Sequence, residues 1–192
     1  EAAPEPSSVE KIEAVANKLF DTENMGYTDD AGQVFRINAN SPYSPIQIHA
    51  TVKDAFRALR GSMTRDELDN AQGFVDPRDG SKTHFIAENI RAGEEAGVIF
   101  HEVGVHVGLE NLMSNEQVND LSATVDDWAS ASETSTERKI YDAVVGRMAF
   151  ARATGMHESL VSIEKIAYAV EEAVNLGVEV TSESKSRAAK WL

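Results

Sequence analysis

The chain has 192 residues, of which 42% are hydrophobic and 26% are charged, the composition of one soluble globular domain. Its net charge is −14 at pH 7, from 32 acidic and 18 basic side chains. Nucleic-acid phosphates and anionic membrane surfaces attract clusters of Lys and Arg, so this charge argues against both as partners. The lack of Cys excludes disulfides and cysteine-ligated zinc, and no apolar run is long enough to predict a membrane-spanning helix.

Residues 1–10 form an acidic segment rich in Pro and Ser. The segment has no initiator Met, and it lacks the basic start and apolar run of a signal peptide. We interpret it as a flexible linker or a remnant of a longer polypeptide. Residues 11–192 are then expected to form a single domain.

The spacing of apolar side chains predicts mostly helices, with a few short strands in the first half of the chain. Helices are predicted over residues 9–21, 52–62, 63–73, 92–113, 114–130, 132–155 and 157–178, with a further short one at 182–192. Strands are predicted over residues 33–39, 46–52 and 82–90, although the segment at 46–52 could also lead directly into the next helix. Gly61 provides a stop signal, and Thr64 stands at capping-box spacing before Glu67. The balance predicts an α+β fold, mostly helical with a small N-terminal β-sheet.

The helix predicted over residues 92–113 is apolar on nearly every side and is therefore expected to be buried. It carries His101, Glu102 and His106, either as core side chains or as part of a metal site. Metal coordination would remove the cost of a buried, unpartnered carboxylate. In a regular α-helix, however, residues five apart point roughly 140° away from each other. The metal interpretation therefore predicts an i→i+5 bulge between the histidines, eased by the flexible backbone at Gly104.

Four sequence elements occur in an order that resembles a known family. The first two are DPRDG at 76–80 and FIAENI at 85–90, and HEVGVHVGL at 101–109 and EKIAY at 164–168 follow. The H-E-x-x-x-H spacing resembles the expanded zinc motif of the dipeptidyl peptidase III family. The whole pattern is more similar to the zincin-like metallopeptidase domain of large polyvalent proteins from phages and mobile elements. This resemblance spans roughly residues 73–177 and leaves the first 70 residues uncovered.

The resemblance implies a gluzincin-like fold and a zinc-dependent peptidase activity. His101 and His106 would be Zn²⁺ ligands, with Glu164 of the distal motif as the third. Glu171 remains an alternative third ligand, or it could accept a hydrogen bond from the N–H of a histidine ligand. Glu172 is the next candidate after it.

The resemblance also implies that Glu102 holds the attacking water and shuttles its proton as the general base. A developing oxyanion needs a hydrogen-bond donor, for which Tyr168, His157 and Arg152 are candidates in that order. The substrate backbone commonly pairs with a sheet edge in zincins, and we assign that edge to the strand at 83–90. His84 on this strand is a candidate for a substrate contact.

Two residue groups of the first half have structural interpretations. His49 lies in an alternating segment and is interpreted as structural. The segment GFVDPRDGS at 73–81 has two Asp near a Gly but lacks the EF-hand spacing, so we interpret it as a turn rather than a calcium loop.

Two other functions remain open at this point. One is a catalytically inactive zincin-fold module with a structural or protein-binding role, and the other is an acidic helical scaffold without metal. Glu102 favours an enzyme, because a structural zinc site has no use for a general base. The resemblance further implies a protein or peptide substrate and a place within a larger polypeptide, located in a virion or in host cytoplasm.

Overall fold

The computed structural model describes residues 5–20, 26–28, 34–36, 46–109 and 112–178. Its α-helices are α1 (Val9–Phe20), α2 (Val52–Leu59), α3 (Arg65–Asp69), α4 (Glu95–Ile99), α5 (Asn115–Asp127), α6 (Thr136–Ala153) and α7 (Val161–Asn175). A π-helix over Phe100–Leu109 continues α4 without a break. The strands are β1 (Gly26–Thr28), β2 (Val34–Arg36), β3 (Ile46–His49), β4 (Gly73–Asp76) and β5 (Asp79–Ile86). The predicted α+β class, mostly helical, is confirmed, and the helix predicted at 182–192 lies outside the described residues.

The larger sheet has the strand order β3-β5-β4, with β3 parallel and β4 antiparallel to β5. Phe85, the second-to-last residue of β5, is opposite Ile48 on one side and Gly73 on the other. The prediction that this strand forms the sheet edge was therefore wrong. Residues 83–86 are all buried, so both faces of β5 are covered, as is usual for a central strand. In the described sheet the edges are β3 and β4.

Local sequence signals define several helix ends as predicted. Helix α2 ends at Arg60 and Gly61, which take the left-handed φ values of 51° and 80°. Thr64 and Glu67 form the predicted capping box at the start of α3. The turn predicted for 73–81 is confirmed only at residues 77 and 78, which connect β4 to β5 in a hairpin; the residues on either side belong to the two strands.

The segment before α1 contacts the rest of the molecule from Glu5 onwards. Pro6 forms an isolated β-bridge with Arg91, and the Ser7 hydroxyl donates a 2.6 Å hydrogen bond to Oε1 of Glu95. Helix α1 begins at Val9, within the segment that the sequence analysis assigned to a linker. The described part of that segment is thus packed on the domain, and residues 1–4 lie outside the described residues.

The π-helix lies where two halves of the fold meet. In one half, Ile12 of α1, Phe85 of β5 and Ile99 of α4 share an apolar core. In the other half, α5, α6 and α7 pack around a second core. Val105 of the π-helix packs directly on Ala167 of α7, while the opposite side of the π-helix contacts β4 and β5. Side chains of the π-helix can therefore meet groups from the sheet and from α7. Within the described residues, no helix has the length and apolar character that crossing a membrane requires.

Candidate metal centre

The π-helix brings His101 and His106 onto one face. The predicted departure from α-helical geometry between them is confirmed, and it extends over the ten residues Phe100–Leu109 rather than a single bulge. In π geometry residue i+5 lies above residue i, and the two imidazole centroids are 5.2 Å apart. Gly104 has a packing role too, because a Cβ at this position would lie only 3.3 Å from the Phe100 ring.

Helix α7 places Glu164 opposite both histidines. Its Oε2 lies 3.6 Å from Nε2 of His101, and its Oε1 lies 3.4 Å from Nε2 of His106. Ala167, one turn further along α7, is fully buried, and its small side chain allows α7 to approach the π-helix closely. The distal glutamate predicted from the EKIAY element therefore lies beside the two histidines.

These three side chains fit a divalent metal ion. One nitrogen of each histidine and one oxygen of Glu164 lie within 4.8 Å of one another. Tetrahedral zinc with ligands at about 2.0–2.1 Å places those ligands about 3.3 Å apart. The separations of 3.6 Å from Nε2 of His101 to Oε2 of Glu164 and of 3.4 Å from Nε2 of His106 to Oε1 are near that value, each to a different oxygen of the carboxylate. Two imidazoles and one carboxylate are also a donor set that zinc and similar divalent ions prefer.

Glu171 lies on the other side of the His101 ring. Its Oε2 is 3.1 Å from Nδ1 of His101, a hydrogen-bond distance, although the angle at the nitrogen departs from that of a regular hydrogen bond. Its Oε1 is 2.5 Å from Nη1 of Arg147, which also lies 3.2 Å from Oε1 of Glu172. Glu171 is only 2% exposed, and its contacts with His101 and Arg147 compensate its buried charge.

Glu102 and Tyr168 line the space in front of the histidines. The Glu102 side chain is buried, with Oε1 4.0 Å from Nε2 of His101. Gly73 of β4 leaves room for it, because a Cβ at Gly73 would lie 2.7 Å from Cγ of Glu102. The Tyr168 ring centroid is 4.9 Å from that of His101. The predicted base and the first-choice oxyanion donor are thus next to the candidate ligands.

The electrostatics of the site indicate that it would stabilise a cation. Burial lowers the pKa of His101, but contacts with Glu164 and Glu171 outweigh burial and raise this pKa to about 9. Burial raises the pKa of Glu102. Burial also raises the pKa of Glu164, but the two histidines dominate and lower it. Burial and the nearby Glu164 raise the pKa of Tyr168 to about 12, so its hydroxyl keeps its proton at neutral pH. Because Arg147 offsets Glu171, the carboxylates of Glu102 and Glu164 are the groups left to favour a positive charge beside the two imidazoles.

Two cavities meet at this cluster and form a cleft beside β4. Both are lined by Gly73, His101, Glu102 and Tyr168. One of about 420 Å³ extends towards α6, and the other of about 650 Å³ extends past His106 towards the turn before α7. A peptide lying in the cleft would pass Glu102 and the candidate metal position.

The other candidate oxyanion donors lie elsewhere. His157 is exposed, and its Nδ1 lies 2.8 Å from the Ser159 hydroxyl in the turn before α7. Arg152 is exposed and lines a separate cavity with Lys165, between α5, α6 and α7. Neither is among the residues that line the cleft.

His84 is not in the cleft, so the candidate substrate contact was wrong. It is 4% exposed, with Nε2 3.2 Å from Oδ2 of Asp76 and Nδ1 2.8 Å from Nε2 of His49. Asp76 in turn accepts hydrogen bonds from Arg78. His49 and His84 are thus members of a polar chain within the sheet, which agrees with the structural interpretation of His49.

The sequence analysis missed Gly73 and Arg147. Gly73 gave no signal of its own, because its role depends on contact with a helix almost thirty residues later in the chain. Arg147 did give a signal, since it continues the helical stripe of Ile140, Val144 and Met148, where an apolar residue is expected. A positively charged side chain at a position of an otherwise apolar helical stripe indicates a buried carboxylate partner.

Comparisons of this chain with protein-family models, with curated proteins and with solved structures find no match.

Proposed function

We propose that this protein is a zinc-dependent peptidase with a zincin-like fold, forming part of a phage or mobile-element polypeptide. One observation carries the proposal: the two histidines of H-E-x-x-x-H and the distal Glu164 converge around a common point, with Glu102 beside them. A merely structural site would gain nothing from Glu102 at the open side of the cluster.

His101, His106 and Glu164 would hold the zinc ion. When bound, zinc lowers the pKa of a water molecule towards neutrality and polarises the substrate carbonyl. Glu102 accepts a proton from the attacking water and delivers it to the amine as the C–N bond breaks. Its raised pKa suits this exchange, because the carboxylate is a stronger base than an exposed one. The Tyr168 hydroxyl donates a hydrogen bond to the developing oxyanion.

The edge strand β4 is our proposed binding position for the substrate backbone. Gly73, Phe74 and Val75 line the cleft together with the candidate site residues. In the described sheet, β4 pairs only with β5, so its outer edge can accept an extended peptide as an additional strand. The substrate would then be a protein segment in an extended conformation.

The test combines metal analysis with the substitution Glu102→Gln. We expect the wild-type protein to bind about one zinc per chain and to cleave an unfolded protein such as casein. Glu102→Gln should keep the zinc and lose at least about a hundredfold in cleavage rate, because general-base catalysis contributes about 10²–10⁴-fold.

Glu116→Gln, on the exposed first turn of α5, provides the matched control and should cleave like the wild type. Less than about 0.2 zinc per chain would contradict the metal site. Zinc binding without cleavage would instead favour the inactive zincin-fold module. Undiminished cleavage by Glu102→Gln would show that the base is another residue.

A further inference from the structure

Arg147 of α6 is half-buried behind the candidate metal centre. Its side chain is 30% exposed, and its guanidinium contacts groups from α7 and from the residue just before β4. Nη1 lies 2.5 Å from Oε1 of Glu171, and Nη2 lies 3.4 Å from Oε1 of Gln72, just before β4. The guanidinium carbon also lies over the Tyr168 ring, 4.4 Å from its centroid.

These contacts connect Arg147 to a candidate metal ligand through one intervening carboxylate. Arg147 contacts Oε1 of Glu171, which leaves Oε2 facing Nδ1 of His101 at 3.1 Å. The opposite nitrogen of the same ring, Nε2, faces Glu164. A carboxylate held beside Nδ1 would limit the rotation of the imidazole and keep Nε2 directed towards the candidate metal position.

We propose that Arg147 is a positioning residue for the zinc site, acting through Glu171 on His101. This inference rests on the zinc binding of the proposed function, but not on peptidase activity. A guanidinium suits the role, because its planar fork can hold Glu171 and Gln72 at once in a fixed geometry. Without it, Glu171 would keep a buried charge with one partner fewer and would be free to turn away from His101.

The experiment measures zinc affinity by competition with a chromophoric chelator. We expect Arg147→Met, which keeps the aliphatic packing, to weaken zinc binding about 10- to 100-fold, the usual effect of losing a group that orients a ligand. Arg147→Lys keeps the charge but loses the fork, so its affinity should fall between those of wild type and Arg147→Met. If Arg147→Met does not fold, the zinc affinity of Arg147→Lys alone tests the proposal.

A double substitution distinguishes positioning from a general loss of structure. Glu171→Gln should weaken zinc binding by a similar factor, and Arg147→Met combined with Glu171→Gln should be no weaker than Glu171→Gln alone, within about twofold. The matched control is Arg138→Met on the same helix. Arg138 contacts Asp142 and the Ala129 carbonyl, away from the site, so this variant should bind zinc like the wild type.

The role of Arg147 is contradicted if Arg147→Met binds zinc within about twofold of the wild type, or if the effects of the two substitutions multiply. A wild-type protein that binds zinc but cleaves nothing contradicts the peptidase alone, because Arg147 is assessed by affinity. A wild-type protein that binds no zinc contradicts both proposals.

Discussion

At the scale of single residues, the two ring nitrogens of His101 face different carboxylates, those of Glu164 and Glu171. The sequence offered both residues as the third metal ligand and contained no geometry to choose between them. Glu164 faces Nε2 of both histidines, whereas Glu171 faces Nδ1 of His101 only. An imidazole that binds a metal through one nitrogen commonly donates the other N–H to a carboxylate. The position of Glu164 is therefore the one expected of a metal ligand. The position of Glu171 is the one expected of a group that orients a ligand histidine.

This division predicts the order of two substitutions. Glu164→Ala should weaken zinc binding by more than about a hundredfold, because a direct ligand is lost, while Glu171→Ala should weaken it by about 10- to 100-fold. Zinc affinity measured at one pH for both variants checks the order. If Glu171→Ala has the larger effect, the ligand role passes to Glu171.

The residues of the candidate site differ in how far the sequence could identify them. The spacing of His101, Glu102 and His106 within an apolar segment is a local feature, and the structure brings the three together. Glu164 was identified only by resemblance, sixty residues further along the chain. The contacts of Arg147 and Gly73 arise from tertiary packing, which no local spacing encodes.

At the scale of secondary structure, the close contact between β4 and the π-helix gives the cleft its shape. Gly73 lies opposite Phe85 in the sheet and against Glu102 of the π-helix. An added Cβ would lie 2.7 Å from Cγ of Glu102 and 3.1 Å from the buried Phe85 ring. Because neither neighbour can move freely, the position accepts only glycine without displacement.

Gly73→Ala should therefore destabilise the fold by about 1–3 kcal/mol, the usual range for overpacking. Gly80→Ala is the matched control in the same hairpin, since a Cβ there meets nothing within 4 Å. We expect it to change the free energy of unfolding by less than about 0.5 kcal/mol. Urea denaturation of both variants measures the difference, and equal stabilities would contradict the close contact.

Elements defined by local signals were predicted well, and those defined by pairing were not. The capping box at Thr64 and the stop at Gly61 depend on neighbours within a few residues, so their sequence patterns were sufficient. The position of β5 depends on pairing with β3, more than thirty residues earlier, and the sequence alone placed this strand wrongly at the edge. A local π-bulge was predicted only because two histidines five residues apart could not otherwise share one metal ion.

At the scale of the whole molecule, the polar chain of the sheet half lies apart from the candidate metal centre. Arg78 binds Asp76, Asp76 contacts Nε2 of His84, and Nδ1 of His84 contacts Nε2 of His49. Burial lowers the pKa of both histidines, so both rings are neutral at neutral pH. In that state Nε2–H of His84 donates to Asp76, and Nε2–H of His49 donates to Nδ1 of His84. The fold is therefore expected to resist protonation of the two rings.

Acid should therefore destabilise the protein through His49. Burial, reinforced by His84, lowers the pKa of His49 to about 4, below its usual value near 6.5. Between these values the unfolded chain binds a proton that the folded protein does not, so stability falls as the pH falls. From about pH 7.5 to about pH 5, His49 should account for a loss of about 1 kcal/mol, after discounting for partial solvent exposure.

The substitution His49→Gln isolates this contribution, because Gln can still donate to His84 but does not titrate. Urea denaturation of zinc-free protein at both pH values should show a smaller acid-induced loss of stability for His49→Gln than for the wild type. Zinc-free protein is required because a bound metal would change the titration of the histidines it contacts. If His49→Gln and the wild type lose equal unfolding free energy between the two pH values, protonation of His49 does not destabilise the folded protein.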